Sequence, residues 1–455
     1  MITRIEVTGF KTFTDFAVDL APLTVIAGAN ASGKSNLFDV LRLLRDMATN
    51  GHTPSIQTRG GLTQVFTKYN KEETSSYIVI AVELLLPLQT RGYSTEFMER
   101  LEHNRWRYEL KLRLDIGYED IDAVEIVGEK LTTISEKKDS WPQRYLSKDQ
   151  RDKYVMVSYG GPNVLIDSFS TNDENEKGRY QFGNYSNTLH KTALSETTIR
   201  DDKHLRAVFN AISSIELVDL AKPYHFSNFA RASGNDDKQS NILRHLQLIK
   251  QYPVDLQYLS RRVNKIIKDI VDVDVYIDDF KRATVTATDT LGGTYVADLL
   301  SEGTLRVIAL STYLLGRESN RCLLIEEPEN GVDPRVLNEM LNLLIDIVFS
   351  PFEEENAGLG QVLCTTHSPT FLQAALRAHG NKPGVHALLT TKVVSFVNTE
   401  GRRRKLPATR MNEIVLDADG TSPKGRIERY TLSQALDYLN QLRLPQQNKE
   451  SLPDA

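Results

Sequence analysis

The sequence predicts an α/β protein: a mixed sheet covered by helices, with a long inserted lid of strands and helices and no long coiled coil. Three observations predict it. A continuous apolar run, Leu23 to Ala27, passes through a glycine-rich turn into a helical repeat of Leu37, Val40, Leu41, Leu44 and Met47. From Gly303 to Pro369 the pattern reads helix, strand, helix, strand, helix, which is the order of a parallel sheet covered by helices. The stretch between these regions carries Pro87, Pro142, Pro162, Pro223 and Pro253 without sustained heptads, so it suits a lid and not a coiled coil.

Taken in order, Ile2, Ile5 and Val7, then Phe16, Val18 and Leu20, alternate as strands before the buried run at Leu23. SYIVIAVELLL and RYELKLRLDIG alternate as two antiparallel strands, joined by a charged, helix-like piece around Thr95 to Asn104. Polar stretches at Glu136 to Gln150 and Ser168 to Ser186 read as loops. A short helix at Ile242 to Ile249 precedes a helical stripe of Leu256, Leu259, Val263, Ile266, Ile267 and Ile270. Strands at Asp272 to Ile277 and Ala283 to Thr288, and a Gly292-Gly293 turn, lead to the helix at Gly303. RCLLIEE and QVLCTTH are the next strands, with helices from Pro334 and Pro369, and the tail after Gln446 is polar.

The 455 residues include 55 Lys+Arg and 60 Asp+Glu, a net charge of -5 that excludes a uniformly basic nucleic-acid coat. Phosphate contacts must therefore come from a local patch or from backbone N–H groups. Cys322 and Cys364 are too few for a disulfide framework and sit on core-like strands. With no apolar run of about 18 residues and no signal-like start, a cytoplasmic protein without a membrane partner is expected.

Gly28, Ala29, Asn30, Ala31, Ser32, Gly33, Lys34 and Ser35 match G-x-x-x-x-G-K-[ST], with a strand before and a helix after. Small residues let the backbone wrap a polyphosphate. Lys34 reaches the β/γ-phosphates, Ser35 offers its hydroxyl to Mg²⁺, and Asn36, next in the chain, is a further nucleotide-binding candidate. The motif names a nucleotide, not a task. RCLLIEEP is an apolar strand ending in two acids: Glu326 suits Mg²⁺ through water, and Glu327 suits polarisation of a water for attack on a γ-phosphate. Leu300-Ser301-Glu302-Gly303-Thr304 opens a helix with Ser301 as N-cap, and Gly303 permits close approach of a phosphate. His367, at the end of the QVLCTTH strand, can sense a γ-phosphate.

GANASGKSN, then LSEGT shortly before LLIEEPENGVD, then CTTHSP, resembles the ABC-type P-loop ATPase heads of the SMC/Rad50/RecF branch, and within it the small RecF-like ATPases. The likeness covers about 1 to 65 and 220 to 375. It implies ATP and Mg²⁺ as cofactors, with Gly28 to Ser35 as the Walker A loop, Glu326 as the metal-side acid and Glu327 as the catalytic glutamate. It further implies His367 as the switch histidine, Asn330 to Asp333 as the D-loop, and Ser301, Gly303 and Asp333 as residues meeting ATP bound by an opposite subunit. Two departures stand out: the metal-side acid is Glu in place of the usual Asp, which puts metal geometry and turnover in doubt, and the signature is LSEGT in place of LSGGQ. Gln57 and Gln64 flank Arg59-Gly60-Gly61, so Gln64 and a phosphate-facing Arg59 are further candidates.

The expected organisation is a discontinuous head at 1–70 and 221–400, an insertion at 71–220, and a C-terminal extension at 401–455. By resemblance, the expected work is an ATP-dependent switch that dimerises head to head, in DNA-related or anti-phage defence of the Septu kind, controlling a separate effector such as a nuclease. DNA contact would fall to Arg231, Lys238, Arg244, Arg261, Arg262, Lys265 and Lys268, or to Arg402 to Lys405 with Arg410, unless these are merely solvated faces. A slowly hydrolysing scaffold is the alternative reading. A transporter ATPase is disfavoured by the long gap between Lys34 and Glu326 and by LSEGT, and an intrinsic nuclease by the short chain after Pro369 without a paired Asp-x-Asp.

Overall fold

The computed structural model of the protein describes residues 1–70, 73–91, 98–116, 122–156, 164–167, 192–195, 202–218, 220, 226, 241–280, 282–315, 321–353, 359–379, 384–399, 402–416 and 429–441. The expected loop at 168–186, Arg231, Lys238 and the tail after Gln446 lie outside them.

Strands β1 (Ile2–Thr8) and β2 (Phe16–Asp19) form a hairpin, and β3 (Leu23–Gly28) feeds helix α1 (Lys34–Asn50), followed by short helices α2 (His52–Gln57) and α3 (Leu62–Val65). Next come β4 (Tyr77–Leu85), a ribbon of β5 (Gln89–Arg91) and β6 (Met98–Arg100), then β7 (Arg105–Ile116) and β8 (Asp122–Thr133). Helices α4 (Trp141–Tyr145) and α5 (Lys148–Tyr154) precede β9 (Val164–Asp167). All but β3, β5 and β6 of these strands build one six-stranded antiparallel sheet, ordered β2-β1-β4-β7-β8-β9.

Helix α6 (Lys203–Ser213) leads to β10 (Ile215–Val218), and α7 (Asn241–Lys250) and α8 (Pro253–Ile266) pack on a small sheet of β11 (Ile270–Ile277), β12 (Ala283–Asp289) and β13 (Thr294–Val296). Then follow α9 (Glu302–Leu315), β14 (Cys322–Glu326), α10 (Leu337–Glu353), β15 (Gln361–Thr366), α11 (Pro369–His379), the hairpin β16 (Val385–Thr399) and β17 (Arg402–Val415), β18 (Tyr430–Thr431) and α12 (Leu432–Gln441). The central sheet runs β10-β14-β15-β3-β16-β17-β18. It is parallel from β10 to β16, and β17 then turns antiparallel.

The parallel strands read as continuous apolar runs because both their faces are covered. Val25, Ala27, Leu323, Ile325, Val362 and Cys364 enter the core shared with α7 to α12. Ile26, Cys322, Leu324 and Leu363 enter the one shared with α1, α6 and the antiparallel sheet. Cys322 and Cys364 are buried free thiols, as expected, and burial pushes the Cys322 thiol up to about 12.

Three local expectations are corrected. The piece around Thr95 to Asn104 contains strand β6 where a helix was expected, because Met98–Arg100 pairs with β5, a partner that local charge pattern does not reveal. Glu136 to Gln150 is not simply loop: Ser147 caps α5, its Oγ accepting from Gln150 N–H at 3.2 Å while Gln150 Oε1 accepts from Ser147 N–H at 3.0 Å. Ser-x-x-Gln is a capping box that outweighs the polar composition. The stripe through Ile270 is not one helix, since α8 ends at Ile266 and Ile270 starts β11. β17, which opens the expected C-terminal extension, pairs with β16 and belongs to the central sheet.

Candidate nucleotide site

The site lies at the carboxyl ends of the central parallel strands. β3 delivers Gly28 between β15 and β16, and the loop that follows turns sharply, with Ala31 at φ 57 and Gly33 at φ 110. Gly33 has a second reason to lack a side chain: a Cβ there would stand 2.2 Å from Thr409 Oγ1. Thr409, on β17, belongs to a hydroxyl relay. Asn36 Nδ2 donates to Thr12 Oγ1 at 2.8 Å, the Thr12 and Thr409 hydroxyls are 2.7 Å apart, and Thr409 Oγ1 donates to Ser32 O at 3.0 Å. The amide at one end and the carbonyl at the other fix the direction of every proton between them. Lys34 Nζ donates back to Gly28 O at 2.7 Å and Ala29 O at 2.8 Å. Burial lowers its pKa, against the pull of Glu327 and Glu326, which line the same cavity, and of Glu329 behind them.

β14 ends at an exposed Glu326, and the backbone then leaves the strand with Glu327 at φ 46, left-handed for a residue with a Cβ. Such a conformation costs about 1 kcal/mol or more and persists only where its surroundings hold it. They do so at four points: Glu327 N–H donates to Thr365 O at 3.0 Å, Arg306 donates to Glu327 O at 2.9 Å, Asn330 Nδ2 donates to Oε2, and His367 Nδ1 lies 2.7 Å from Oε1. Just beyond, Glu329 is buried and its Oε1 accepts from Thr366 Oγ1. Burial pushes its carboxyl above the ordinary range.

One cavity of about 690 Å³ unites the two halves. Asn30, Ala31, Gly33, Lys34, Ser35 and Asn36 line it from the loop, Glu326, Glu327, Asn330 and Thr365 from the strand ends, and Arg306, Leu217, Val218 and Leu220 complete it. The last four carry no sequence motif. Only the depth of α9 and the position of β10 beside β14 bring them there. Ser35 and Glu326 offer oxygen donors to the same space, a set that fits Mg²⁺ with phosphate and water filling its other positions. No group of three or more His, Cys, Asp or Glu forms a metal cage among the described residues.

Several candidates lie elsewhere. Arg59 does not face the loop: it bonds Asp39 at 3.0 Å and Asp46 at 2.7 Å on α1, and two carboxylates outcompete an open groove. Gln64, exposed on α3, is not among the cavity-lining residues. Ser301, Gly303 and Asp333 also lie outside the cavity of their own chain. Ser301 Oγ accepts from Thr304 N–H at 3.1 Å, as the N-cap reading expects. Gly303 packs so tightly that a Cβ would meet Gly331 O at 2.4 Å, and exposed Asp333 bonds Arg335. Arg262 pairs with Asp346 and Arg404 with Glu73, whereas Arg244, Arg261, Lys265, Lys268, Lys405 and Arg410 are exposed.

A central parallel sheet, a phosphate loop on one strand and acidic and histidine-bearing ends on the two beyond it define an α/β nucleotide-binding head of the P-loop ATPase class. Residues 23–373, more than half of the chain, match the family described as "AAA domain, putative AbiEii toxin, Type IV TA system", and the chain belongs to that family. None of the curated proteins matches it by sequence.

Solved structures similar to it include an SMC head bound to the C-terminal winged-helix domain of ScpA, at 11% identity and TM-score 0.47, covering 91% of this chain and 98% of that one. The SMC head of Thermotoga maritima is 10% identical, TM-score 0.35, covering 90% and 98%. An SMC head with an extended coiled coil bound to the C-terminal domain of ScpA, derived from Pyrococcus furiosus, is 12% identical, TM-score 0.42, covering 90% and 96%. Among the described residues no helix is long and apolar enough to cross a membrane.

Proposed function

We propose that this chain binds and hydrolyses ATP, and that two copies close head to head around two nucleotides as a switch controlling a separate effector. One observation carries the reading: Lys34 and Ser35 of the phosphate loop share a single cavity with Glu326 and Glu327, and Glu327 is held by His367. In the reaction, Glu327 takes a proton from a water whose oxygen attacks the γ-phosphorus, while the bond to the β–γ bridging oxygen breaks and ADP leaves. Lys34 exchanges its two loop carbonyls for phosphate oxygens. Ser35 and Glu326 would hold Mg²⁺, which when bound neutralises charge on the β- and γ-phosphates. His367, anchored through Nδ1, has Nε2 left for the γ-phosphate.

Dimerisation is supported by residues their own cavity does not use. Ser301, Gly331 and Asp333 are exposed, and Gly303 packs against Gly331 so that the two segments lie together. A nucleotide presented by another copy would meet them as one surface. Sedimentation velocity of Glu327→Gln tests this: Mg²⁺-ATP should shift it to a dimer, and a monomer with ATP bound would sink the switch.

The family's description mentions a toxin of a toxin–antitoxin system, which supports a defence role; the effector, a separate nuclease, rests on the sequence resemblance alone. Exposed Arg244, Arg261, Lys265 and Lys268 support DNA as trigger, tested by turnover with and without duplex. The longer Glu326 favours a second reading, a slowly hydrolysing scaffold that assembles a complex, which turnover far below its nucleotide exchange would establish.

A further inference from the structure

Two parallel ties join the end of β15 to the loop after β14. The first is His367 to Glu327. The second lies one residue inward on β15: Thr366 Oγ1 donates to Glu329 Oε1 and accepts from Ser368 N–H at 2.9 Å. His367 therefore sits between two residues fastened by one hydroxyl.

Glu329 is only 8% exposed, it is not among the residues lining the cavity, and its Oε2 has no hydrogen-bond partner among the described residues. An unsatisfied buried oxygen costs about 1–3 kcal/mol, so a carboxyl here is dearer than an apolar side chain of the same size. Direct contact with a phosphate or a metal does not account for it, because the side chain is not part of the cavity lining. The hydroxyl of Thr366 does. Burial favours the neutral acid, and either a carboxyl or an amide oxygen can accept from that hydroxyl.

We infer that Glu329 is a positioning residue, which clamps Thr366 and through it fixes His367 against Glu327, so that the pair meets the nucleotide in one arrangement. The inference rests on the proposed roles of Glu327 and His367. Without the clamp the β15 end can rotate the imidazole away from a carboxylate that sits in a strained backbone.

The test compares the full chain with Glu329→Gln and Glu329→Ala by two readouts: kcat and KM for ATP, and the rate of His367 carbethoxylation without nucleotide, site-resolved by mass spectrometry. Glu329→Gln should behave like the parent in both. Glu329→Ala should lower kcat about tenfold with KM nearly unchanged, and His367 should be modified several-fold faster. Thr366→Val, which removes the hydroxyl that donates to Glu329 and accepts from Ser368 N–H, should reproduce the faster modification even if the alanine variant does not fold. Unchanged His367 reactivity in Glu329→Ala and Thr366→Val overturns the clamp, and so does a glutamine variant as impaired as alanine, since that would require an anion. A parent chain that hydrolyses no ATP refutes the proposed function, while the modification rates still decide the clamp.

Discussion

His367 Nδ1 stands 2.7 Å from Glu327 Oε1, across two neighbouring parallel strands, while the Asn330 amide holds the other carboxylate oxygen. The acid that would activate water is thus oriented by its protein neighbours. Preorganisation of this kind is where an enzyme gains most, because reacting groups need no rearrangement during the chemical step.

Lys34 should govern affinity. Its ammonium already has two carbonyl partners, so the net gain on meeting phosphate is a difference between charge-assisted bonds and neutral ones. Lys34→Met should weaken ATP binding about 10- to 100-fold by calorimetry, without lowering the urea midpoint; unchanged affinity would place the phosphates elsewhere.

Arg306 should matter although it is not among the candidate site residues read from the sequence. Its guanidinium bonds the carbonyl of Glu327, the residue at φ 46. Arg306→Met releases that backbone, and kcat should fall roughly tenfold. A loss confined to KM would show that it serves the nucleotide directly.

Gly33 and Gly61 form a matched pair for stability. Both are left-handed, at φ 110 and 87, but a Cβ at Gly33 strikes Thr409 Oγ1 at 2.2 Å whereas one at Gly61 meets nothing within 4 Å. Gly61→Ala should cost about 1 kcal/mol from backbone strain alone. Gly33→Ala should cost at least about 1 kcal/mol more, read from urea midpoints at constant slope.

Glu413 should set part of the acid limit of stability. Burial pushes its carboxyl up, but His386 at 3.5 Å, Arg144 at 2.6 Å and Arg429 at 2.9 Å outweigh this and bring it down to about 2. A carboxyl that is lower in the folded chain than its ordinary 4.5 stabilises fully above that value. The contribution is lost as pH falls from 4.5 towards about 2. Allowing for partial exposure, it amounts to about 2 kcal/mol. Glu413→Gln should flatten the pH dependence of unfolding in that window; superimposable curves would contradict the assignment.

What the sequence disclosed, and what it hid, follows one physical division. The phosphate loop, the acids after β14 and His367 are legible because each is a short local pattern at a strand end. Arg59 misleads because its choice between a phosphate and the carboxylates of Asp39 and Asp46 depends on how α2 returns to α1. Thr409 is invisible for the same reason: it reaches Ser32 from the far end of the chain, through a hairpin that local pattern does not register against β3. Glu329 is in plain sight within EEPEN, but only burial and the hydroxyl of Thr366 separate it from a solvated acid. Met98–Arg100 is a strand because pairing with β5 overrides a charged local composition that suits a helix.

The most direct test of the central claim is Mg²⁺-dependent ATP hydrolysis by the parent chain and by Glu327→Gln, with ATP retention measured on the same samples. The account predicts that the variant binds ATP as the parent does but turns it over about 10²- to 10⁴-fold more slowly. Equal turnover in both, or no ATP bound by either, would contradict it.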